Sequence, residues 1–275
     1  MIAVKNKPEK VVNTLILDDC QLTDHSFAII FEGIKAQGNN LRSLVYQNNT
    51  LGEESMEHLL DMIPLLQEIR LSSLKLDQNK DIMRELCSNF YRNGQSLMKL
   101  TLSKINLNDN KIVEDLCNIV SSKYQKFVHH LELSWCSLTP KHLARIVEEV
   151  RYCHENIRSL DLSYNSLYFN QNEGANSPLQ QEDLDHSIAF VDLLCEYLDS
   201  QDMLNFLNIS GMNFGREQII KISDHIAKSK FLLSVHMNDN GIRFSDGAAK
   251  VTLDQREAPF VDQLKDIFGV PVTKP

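Results

Sequence analysis

Residues 128–138 read VHHLELSWCSL, and this stretch decides the fold. Its apolar residues follow the spacing LxxLxLxxCxL, in which the central LxL alternates between two directions and suits a short β-strand. The same spacing recurs along the chain in copies that begin at residues 12, 41, 66, 97, 128, 157, 204 and 232, with Asn or Cys at the ninth position in most of them.

The distances between copies are nearly constant. The second apolar position of each copy falls at residues 15, 44, 69, 100, 131, 160, 207 and 235, so the steps are 29, 25, 31, 31, 29, 47 and 28 residues. A single match would be weak evidence, whereas eight matches at this spacing indicate an internal repeat.

Between the copies, apolar residues recur three and four positions apart, as on one face of a helix. Phe27, Ile30, Phe31 and Ile34 show this spacing. Helix starts carry N-cap residues, as in Thr23-Asp24-His25 and in Thr139-Pro140. Each copy therefore predicts a strand, a turn and a helix. One such unit cannot bury its apolar face alone, so neighbouring units are expected to stack.

This arrangement resembles the ribonuclease-inhibitor-like, cytoplasmic class of leucine-rich repeats over residues 12–242. The resemblance implies an α/β fold, a horseshoe-shaped solenoid of about eight strand–turn–helix repeats. Parallel strands would line its concave side and helices its convex side. It also implies that ninth-position side chains bond buried backbone groups, at Cys20, Asn49, Cys136, Asn165 and Asn240. Other side chains occupy that position at Leu74, Ile105 and Met212, where we expect the turns to be satisfied differently.

Three segments depart from the repeat. Residues 1–11 are a lead-in or an N-terminal cap. Residues 168–185, rich in Asn, Gln, Gly and Pro, predict a loop insertion that either binds a partner or has no role. Residues 243–275 predict a capping or partner-binding segment, because one helical face would carry Phe260, Val261, Leu264, Ile267 and Phe268.

Composition excludes several classes of protein. The net charge of -9 argues against a nucleic-acid partner, which requires clustered Lys and Arg. No run of 18 apolar residues occurs, so no membrane partner is expected. The six cysteines lack CxxC spacing and the first residues lack an apolar signal core. Free thiols and a cytoplasmic location, with possible cytoskeletal association, are therefore the expectation.

No catalytic apparatus is visible in the sequence. Phosphate-binding, dinucleotide-binding, zinc-protease and nucleophile-elbow motifs are all missing. His129 and His130 are adjacent, so on a strand they point to opposite faces and do not share a metal easily. Cys153-His154 lacks a second pair at ligand spacing. We therefore predict a non-enzyme with no cofactor and no metal site.

The candidate binding residues lie on the concave sheet: Arg70, Glu132, Trp135, Asp161 and Tyr164. Trp135 is the only tryptophan, and its repeat position faces outward beside Tyr164, as expected for an interface anchor. Glu132 and Asp161 flank the pair and suit a basic partner surface. The alternative is that Trp135 folds over its own turn and shields a junction between repeats.

The leading functional hypothesis is an intracellular scaffold or adaptor that binds a protein on its concave face. Its repeat class is similar to that of cytoskeletal regulators such as tropomodulin and of components of cilia. The alternative is a regulator of a small GTPase resembling the Ran GTPase-activating protein. Such a regulator needs a polar or arginine side chain at the nucleotide phosphates, and Arg70 is the arginine that the pattern places on the concave sheet.

Overall fold

The computed structural model describes residues 12–36, 40–76, 81–121, 128–152, 157–167 and 178–240. The expected segments 1–11 and 243–275 lie outside these residues, as does Cys153-His154. In chain order the elements are β1 (Thr14–Asp18), α1 (Asp24–Ala36), β2 (Ser43–Gln47), β3 (Thr50–Leu51), α2 (Glu53–Met62), a 3₁₀ turn (Ile63–Leu65), β4 (Glu68–Ser72), β5 (Lys75–Leu76), α3 (Asp81–Asn93), β6 (Lys99–Ser103), α4 (Asn110–Val120), β7 (His130–Glu132), α5 (Pro140–Tyr152), β8 (Ser159–Asp161), α6 (Pro178–Ser200), β9 (Phe206–Asn208), α7 (Arg216–Lys228) and β10 (Ser234–His236).

The protein is an α/β protein with one parallel sheet of eight strands. The strand order is β1-β2-β4-β6-β7-β8-β9-β10, so spatial order follows chain order, and the short strands β3 and β5 pair separately. One row across the sheet is Leu15, Leu44, Ile69, Leu100, Leu131, Leu160, Leu207 and Val235. These are the second apolar positions of the eight copies, which confirms the register predicted from the sequence.

The core lies between the sheet and the helices. Leu102 and Leu162, two positions beyond that row, are fully buried, while Leu17 is only partly buried because β1 is an edge strand. The helices contribute the predicted apolar faces to the same cluster: Phe27 and Phe31 of α1 are both inaccessible to solvent. One apolar cluster therefore runs along the sheet from β1 to β9, and Leu232 and Met237 on either side of β10 pack against it.

Helix starts follow the predicted N-cap chemistry. The Thr23 hydroxyl accepts a hydrogen bond from the Ser26 N–H at the start of α1, 3.2 Å. Pro140 begins α5, and the Thr139 hydroxyl accepts the His142 N–H. A capping arrangement that sequence spacing does not reveal joins neighbouring helices: the Asp24 carboxylate accepts the N–H groups of Gly52, Glu54 and Ser55 at the start of α2.

The turn asparagines behave as the pattern predicted. Asn165 is fully buried; its amide donates to the carbonyls of Leu133 and Leu162 and its oxygen accepts the N–H groups of Cys136 and Leu138. Equivalent bonds are made by Asn49 and Asn240. The side chains of these residues therefore tie each turn to the one before it.

The cysteines at the same position differ from each other. The buried Cys136 thiol donates to the Leu102 carbonyl, with Sγ and oxygen 2.9 Å apart. Cys20 is exposed, and its thiol contacts only the carbonyl of Asp18, at 3.4 Å, among the groups described. The expectation for Cys20 was therefore wrong, because among the described residues no strand precedes β1 in the sheet to offer the thiol a buried carbonyl.

The prediction of a loop over residues 168–185 was wrong for its second half. Residues 168–177 lie outside the described part of the chain, but helix α6 begins at Pro178. Proline is favoured in the first helical turn because its φ is already helical, and the Gln, Glu and Leu residues that follow favour helix. The Gln181 amide also donates to Asp185 one turn later, 2.8 Å.

In the described part of the chain, no helix is long and apolar enough to cross a membrane.

Candidate functional site: the open face of the sheet

One face of the sheet is not covered by helices, and we call it the open face. It carries Ile16, Val45, Arg70, Thr101, Glu132, Asp161, Asn208 and His236, which align in register across the eight strands. Most of these side chains are exposed or half-buried, as the sequence predicted. All five candidate residues therefore lie on or directly beside one surface.

A second row follows the strands at the point where each turns away from the sheet. Its members all have positive φ, between 46° and 65°: Asp19, Asn48, Ser73, Lys104, Trp135, Tyr164, Gly211 and Asp239. The N–H of each of the first seven donates to a carbonyl at the end of the next strand or two residues beyond it. These bonds fix the left-handed backbone, which non-glycine residues adopt at a cost. The side chains of this row therefore project from a rigid edge.

Trp135 and Tyr164 form an aromatic platform on this edge. Their ring centroids lie 4.2 Å apart with an interplanar angle of 11°, so the rings are stacked. Trp135 remains 52% exposed, which confirms that it faces outward. The stack also joins two neighbouring turns, so the alternative interpretation, in which Trp135 shields a junction, describes part of what the ring does.

Two residues that sequence reasoning missed hold Tyr164 in place. Gly211 has no side chain where its row would put one, and the Tyr164 ring fills that space: a Cβ on Gly211 would lie 2.3 Å from Tyr164 Cδ1. Beyond Gly211, the Tyr164 hydroxyl donates to Asp239 Oδ2 at 2.7 Å, a bond that raises the pKa of Tyr164. The sequence did contain one signal for this arrangement: Gly211 is the only glycine at a position where the other seven copies have larger residues.

The carboxylates of Glu132 and Asp161 are engaged within the sheet. Thr101 and Ser134 donate to Glu132, both at 3.3 Å. Asp161 accepts the N–H and hydroxyl of Ser163 and the amide of Asn208, at 2.6 to 2.9 Å. Neither carboxylate forms a salt bridge with another described residue. Their negative charges are therefore held in fixed positions and are not neutralised by a basic neighbour.

The remaining parts of the face are simpler. Arg70 is exposed, and its guanidinium has no hydrogen-bond partner among the described residues. The serines at or just beyond the carboxyl ends of four strands are largely buried, at 2% to 8% exposure: Ser103, Ser134, Ser163 and Ser210. At this burial they offer little surface to a partner.

Beside the platform is a small pocket of about 280 Å³. It is lined by the aromatic residues Trp135 and Tyr164, by Leu138, and by the polar residues Asn108, Ser137, Thr139 and Ser166. A lining of aromatic and polar residues suits a side chain that is apolar along its length and polar at its end.

Groups with catalytic or metal-binding chemistry were sought in the same residues. Within the described ranges, no three His, Cys, Asp or Glu side chains come together in a way that could hold a metal ion. The described cysteines are free, and burial raises the pKa of Cys117 and Cys136 to about 12 and of Cys195 to about 11. These three thiols therefore stay protonated at neutral pH, and a protonated thiol is a poor nucleophile.

No protein-family model matches the sequence, and no curated protein is significantly similar to it. The open face itself is therefore the basis on which function is inferred. It brings Glu132, Trp135, Asp161 and Tyr164 together on neighbouring strands, whereas Arg70 lies two strands from Glu132.

Proposed function

We propose that this chain is a leucine-rich-repeat solenoid of the ribonuclease-inhibitor-like class, and that it binds a protein partner on its open face without performing catalysis. The match between spatial and chain order of the strands supports the repeat assignment, as do the buried asparagine bonds at equivalent turns. In such a fold each unit contacts mainly its neighbours, and stacking leaves one long surface free.

The observation that carries the proposal is the aromatic platform. An exposed tryptophan on a protein surface is ordinary when its ring is free to move. Here the ring of Trp135 is stacked on Tyr164, which is itself held by Gly211 and Asp239, so little side-chain entropy remains to be lost on binding. Immobilised, solvent-exposed tryptophan and tyrosine are the residues that most often anchor protein interfaces.

The charges beside the platform define the partner's chemistry. Glu132 and Asp161 are pre-oriented by their hydrogen bonds and form no salt bridge with a described residue. A lysine or arginine of the partner placed over these carboxylates would complement their charge. An apolar group of the partner placed on Trp135 would complement the aromatic ring. We propose that the partner presents such a mixed basic and apolar segment.

A reducing compartment such as the cytoplasm is part of this proposal, and scaffolding of cytoskeletal or ciliary assemblies is one role compatible with it. The support is that Cys87, Cys117, Cys136 and Cys195 are buried as free thiols and contribute to the packed core. Protein interiors of this kind persist where thiols are kept reduced.

The test is a comparison of Trp135→Ala with Tyr152→Ala. Both remove an exposed aromatic ring, but Tyr152 lies at the end of α5, away from the open face. Partners captured from a native extract by the wild-type protein would be identified by mass spectrometry and titrated by calorimetry. We expect Trp135→Ala to weaken binding about tenfold or more and Tyr152→Ala to leave it unchanged. Equal affinity of the wild type and Trp135→Ala would remove the platform as the anchor.

A second candidate, regulation of a small GTPase, is supported by one observation: Arg70 is exposed on the open face with its guanidinium unbonded to described residues. An arginine free to reach a nucleotide can stabilise charge during phosphoryl transfer. GTP hydrolysis by a panel of small GTPases, measured with wild-type protein and with Arg70→Ala, separates the two. Acceleration that disappears in the variant favours this candidate, and no acceleration by the wild type excludes it for the panel.

A further inference from the structure

A cluster of basic side chains lies at the amino ends of the central strands. Lys99 of β6 and His130 of β7 are direct partners in the sheet register, so their side chains leave the same face side by side. His129 and Arg158 lie one residue before the start of β7 and β8, where the Arg158 N–H donates to the His129 carbonyl at 2.8 Å. The strict alternation of faces within a strand does not apply there, and both charges act on the His130 ring. We call Lys99, His129, His130 and Arg158 the amino-edge cluster.

The cluster is locally positive in a chain whose net charge is -9. Burial of part of the His130 ring lowers its pKa, and Lys99, His129 and Arg158 lower it further, so all three act on this ring as positive neighbours. Among the described residues, Glu68 opposes them, with its carboxylate 4.0 Å from Lys99 Nζ. That exposed ion pair neutralises little, because water screens it.

Acidic groups lie further along the same strands. Glu132 follows His130 by two residues on the same face, and Asp161 follows Ser159 in the next strand. The Glu132 carboxylate accepts hydrogen bonds from Thr101 and Ser134 and forms no salt bridge with His130 or another described residue. The central strands therefore present a positive amino edge and a negative carboxyl side.

We propose that the amino-edge cluster binds an acidic segment, rich in Asp and Glu, of the partner protein. This inference deepens the proposed function and rests on it: the partner would place carboxylates against Lys99, His130 and Arg158 and its basic and apolar groups toward Glu132 and Trp135. The positive amino-edge cluster and the negative carboxylates would together fix the direction in which the partner lies along the strands. In the reversed orientation, like charges of the two proteins would face each other.

Binding at this cluster is linked to pH. With its pKa lowered, His130 is neutral at pH 7.5, and carboxylates brought beside it favour the protonated form. Binding therefore takes up a proton, and affinity rises as the pH falls through the range in which the bound His130 ring titrates. Glu68 works against this effect in the free protein, because its carboxylate already favours the protonated His130 ring.

The test uses a fluorescein-labelled hexa-aspartate peptide, whose binding to the full chain is followed by fluorescence anisotropy. Lys99→Glu/Arg158→Glu reverses two charges in the cluster; the matched control, Lys141→Glu/Arg145→Glu, makes the same change in net charge on exposed positions of α5. We expect the cluster variant to bind the peptide at least about tenfold more weakly than the wild type does, and the control variant to stay within about twofold of the wild type. The reason is that salt screens the attraction between exposed charges, so charges on α5 affect a peptide bound at the cluster only weakly.

The pH arm compares pH 7.5 with pH 5.5, a range in which the peptide's aspartates stay ionised. We expect wild-type affinity to rise as the pH falls and His130→Asn to lose a large part of that rise. Equal weakening by the two charge-reversal variants, or an unchanged pH response in His130→Asn, would overturn the proposal.

The outcome is separable from that of the proposed function. The captured partner would be titrated against the same variants and against Trp135→Ala. Weakening by Trp135→Ala but not by Lys99→Glu/Arg158→Glu leaves the proposed function standing and overturns the acidic-segment inference alone. Weakening by neither contradicts both.

Discussion

Replacing Gly211 with alanine tests how the aromatic platform is built. Gly211 has a φ of +65°, and the Cβ of an alanine would lie 2.3 Å from Cδ1 and 2.5 Å from Cε1 of Tyr164. Real Cβ atoms do not approach a ring this closely, so the Tyr164 ring must leave its place. It then loses both the stack on Trp135 and the hydroxyl bond to Asp239.

The magnitude follows from two contributions. Alanine in the left-handed region costs about 1–2 kcal/mol relative to glycine. Loss of a stacked aromatic pair costs about 0.5–1.5 kcal/mol beyond the area it buries. The exposed bond to Asp239 adds little, since water replaces it. We therefore expect Gly211→Ala to lower the free energy of unfolding by about 1.5–3.5 kcal/mol.

Two readouts follow the change. Urea unfolding monitored by circular dichroism gives the stability, and the emission of Trp135, the only tryptophan, reports the platform directly. We expect a red shift and stronger acrylamide quenching in Gly211→Ala, since Trp135 loses its stacking partner. Gly33→Ala is the control: nothing lies within 4 Å of a Cβ there, and alanine is favoured over glycine within a helix such as α1, so stability should rise slightly.

A double-mutant cycle decides whether overlap with the ring is the cause. In a Tyr164→Ala background the ring is already gone, so Gly211→Ala should cost only the backbone contribution of about 1–2 kcal/mol. The same loss of unfolding free energy in both backgrounds, together with unchanged tryptophan emission, would refute the explanation that the Tyr164 ring occupies the space left by Gly211.

Three further predictions concern the core and the caps. Asn165→Ala should cost at least about 3 kcal/mol in urea unfolding, because each buried backbone group left without a partner costs about 1–3 kcal/mol; the exposed Asn205→Ala is the control, and equal small losses would contradict the role given to Asn165. Leu133→Ala should cost about 2–5 kcal/mol by opening a cavity, and a melting temperature that barely moves would show that the assigned register is wrong. The Arg84 guanidinium and two backbone N–H groups hold the pKa of Asp109 below its ordinary value of 3.8. The ionised Asp109 carboxylate therefore stabilises the fold above pH 3.8, and this stabilisation is lost as the pH falls below 3.8. Asp109→Asn should therefore flatten the loss of stability on acidification, measured as urea midpoints between pH 5 and pH 2, and an unchanged slope would rule out this contribution.

The sequence predicted the strands well because their signal is local. The alternating LxL and the step between copies placed Leu15, Leu131 and Val235 in one row of the sheet, and their registers agree. The turn asparagines were equally readable, since the bonds of Asn165 run to groups at fixed spacings within the same pattern.

The site was predicted only in part, because its decisive contacts are not local. Outward placement of Trp135 and Tyr164 followed from position in the copy, but the bond from Tyr164 to Asp239 joins residues 75 apart. The engagement of Asp161 by Ser163 and Asn208 was missed as well, although a hydroxyl two residues after an aspartate is a recurring local hydrogen-bonding arrangement. The helix at Pro178 was missed because composition outweighed the helix-start signal in the interpretation of residues 168–185.

The hydrogen bond from Tyr164 to Asp239 has a consequence for local unfolding of the sheet at β10. The hydrogen bonds of the sheet join adjacent strands. Fraying of β10 would therefore ordinarily leave the structure two strands away unchanged. Tyr164, which follows β8, is tethered to Asp239, which follows β10, and the same ring touches Trp135 after β7. Separation of β10, the last strand of the described residues, would thus break the bond to Asp239 and free the Tyr164 ring. Because that ring stacks on Trp135, the fluorescence of the single tryptophan would report the separation.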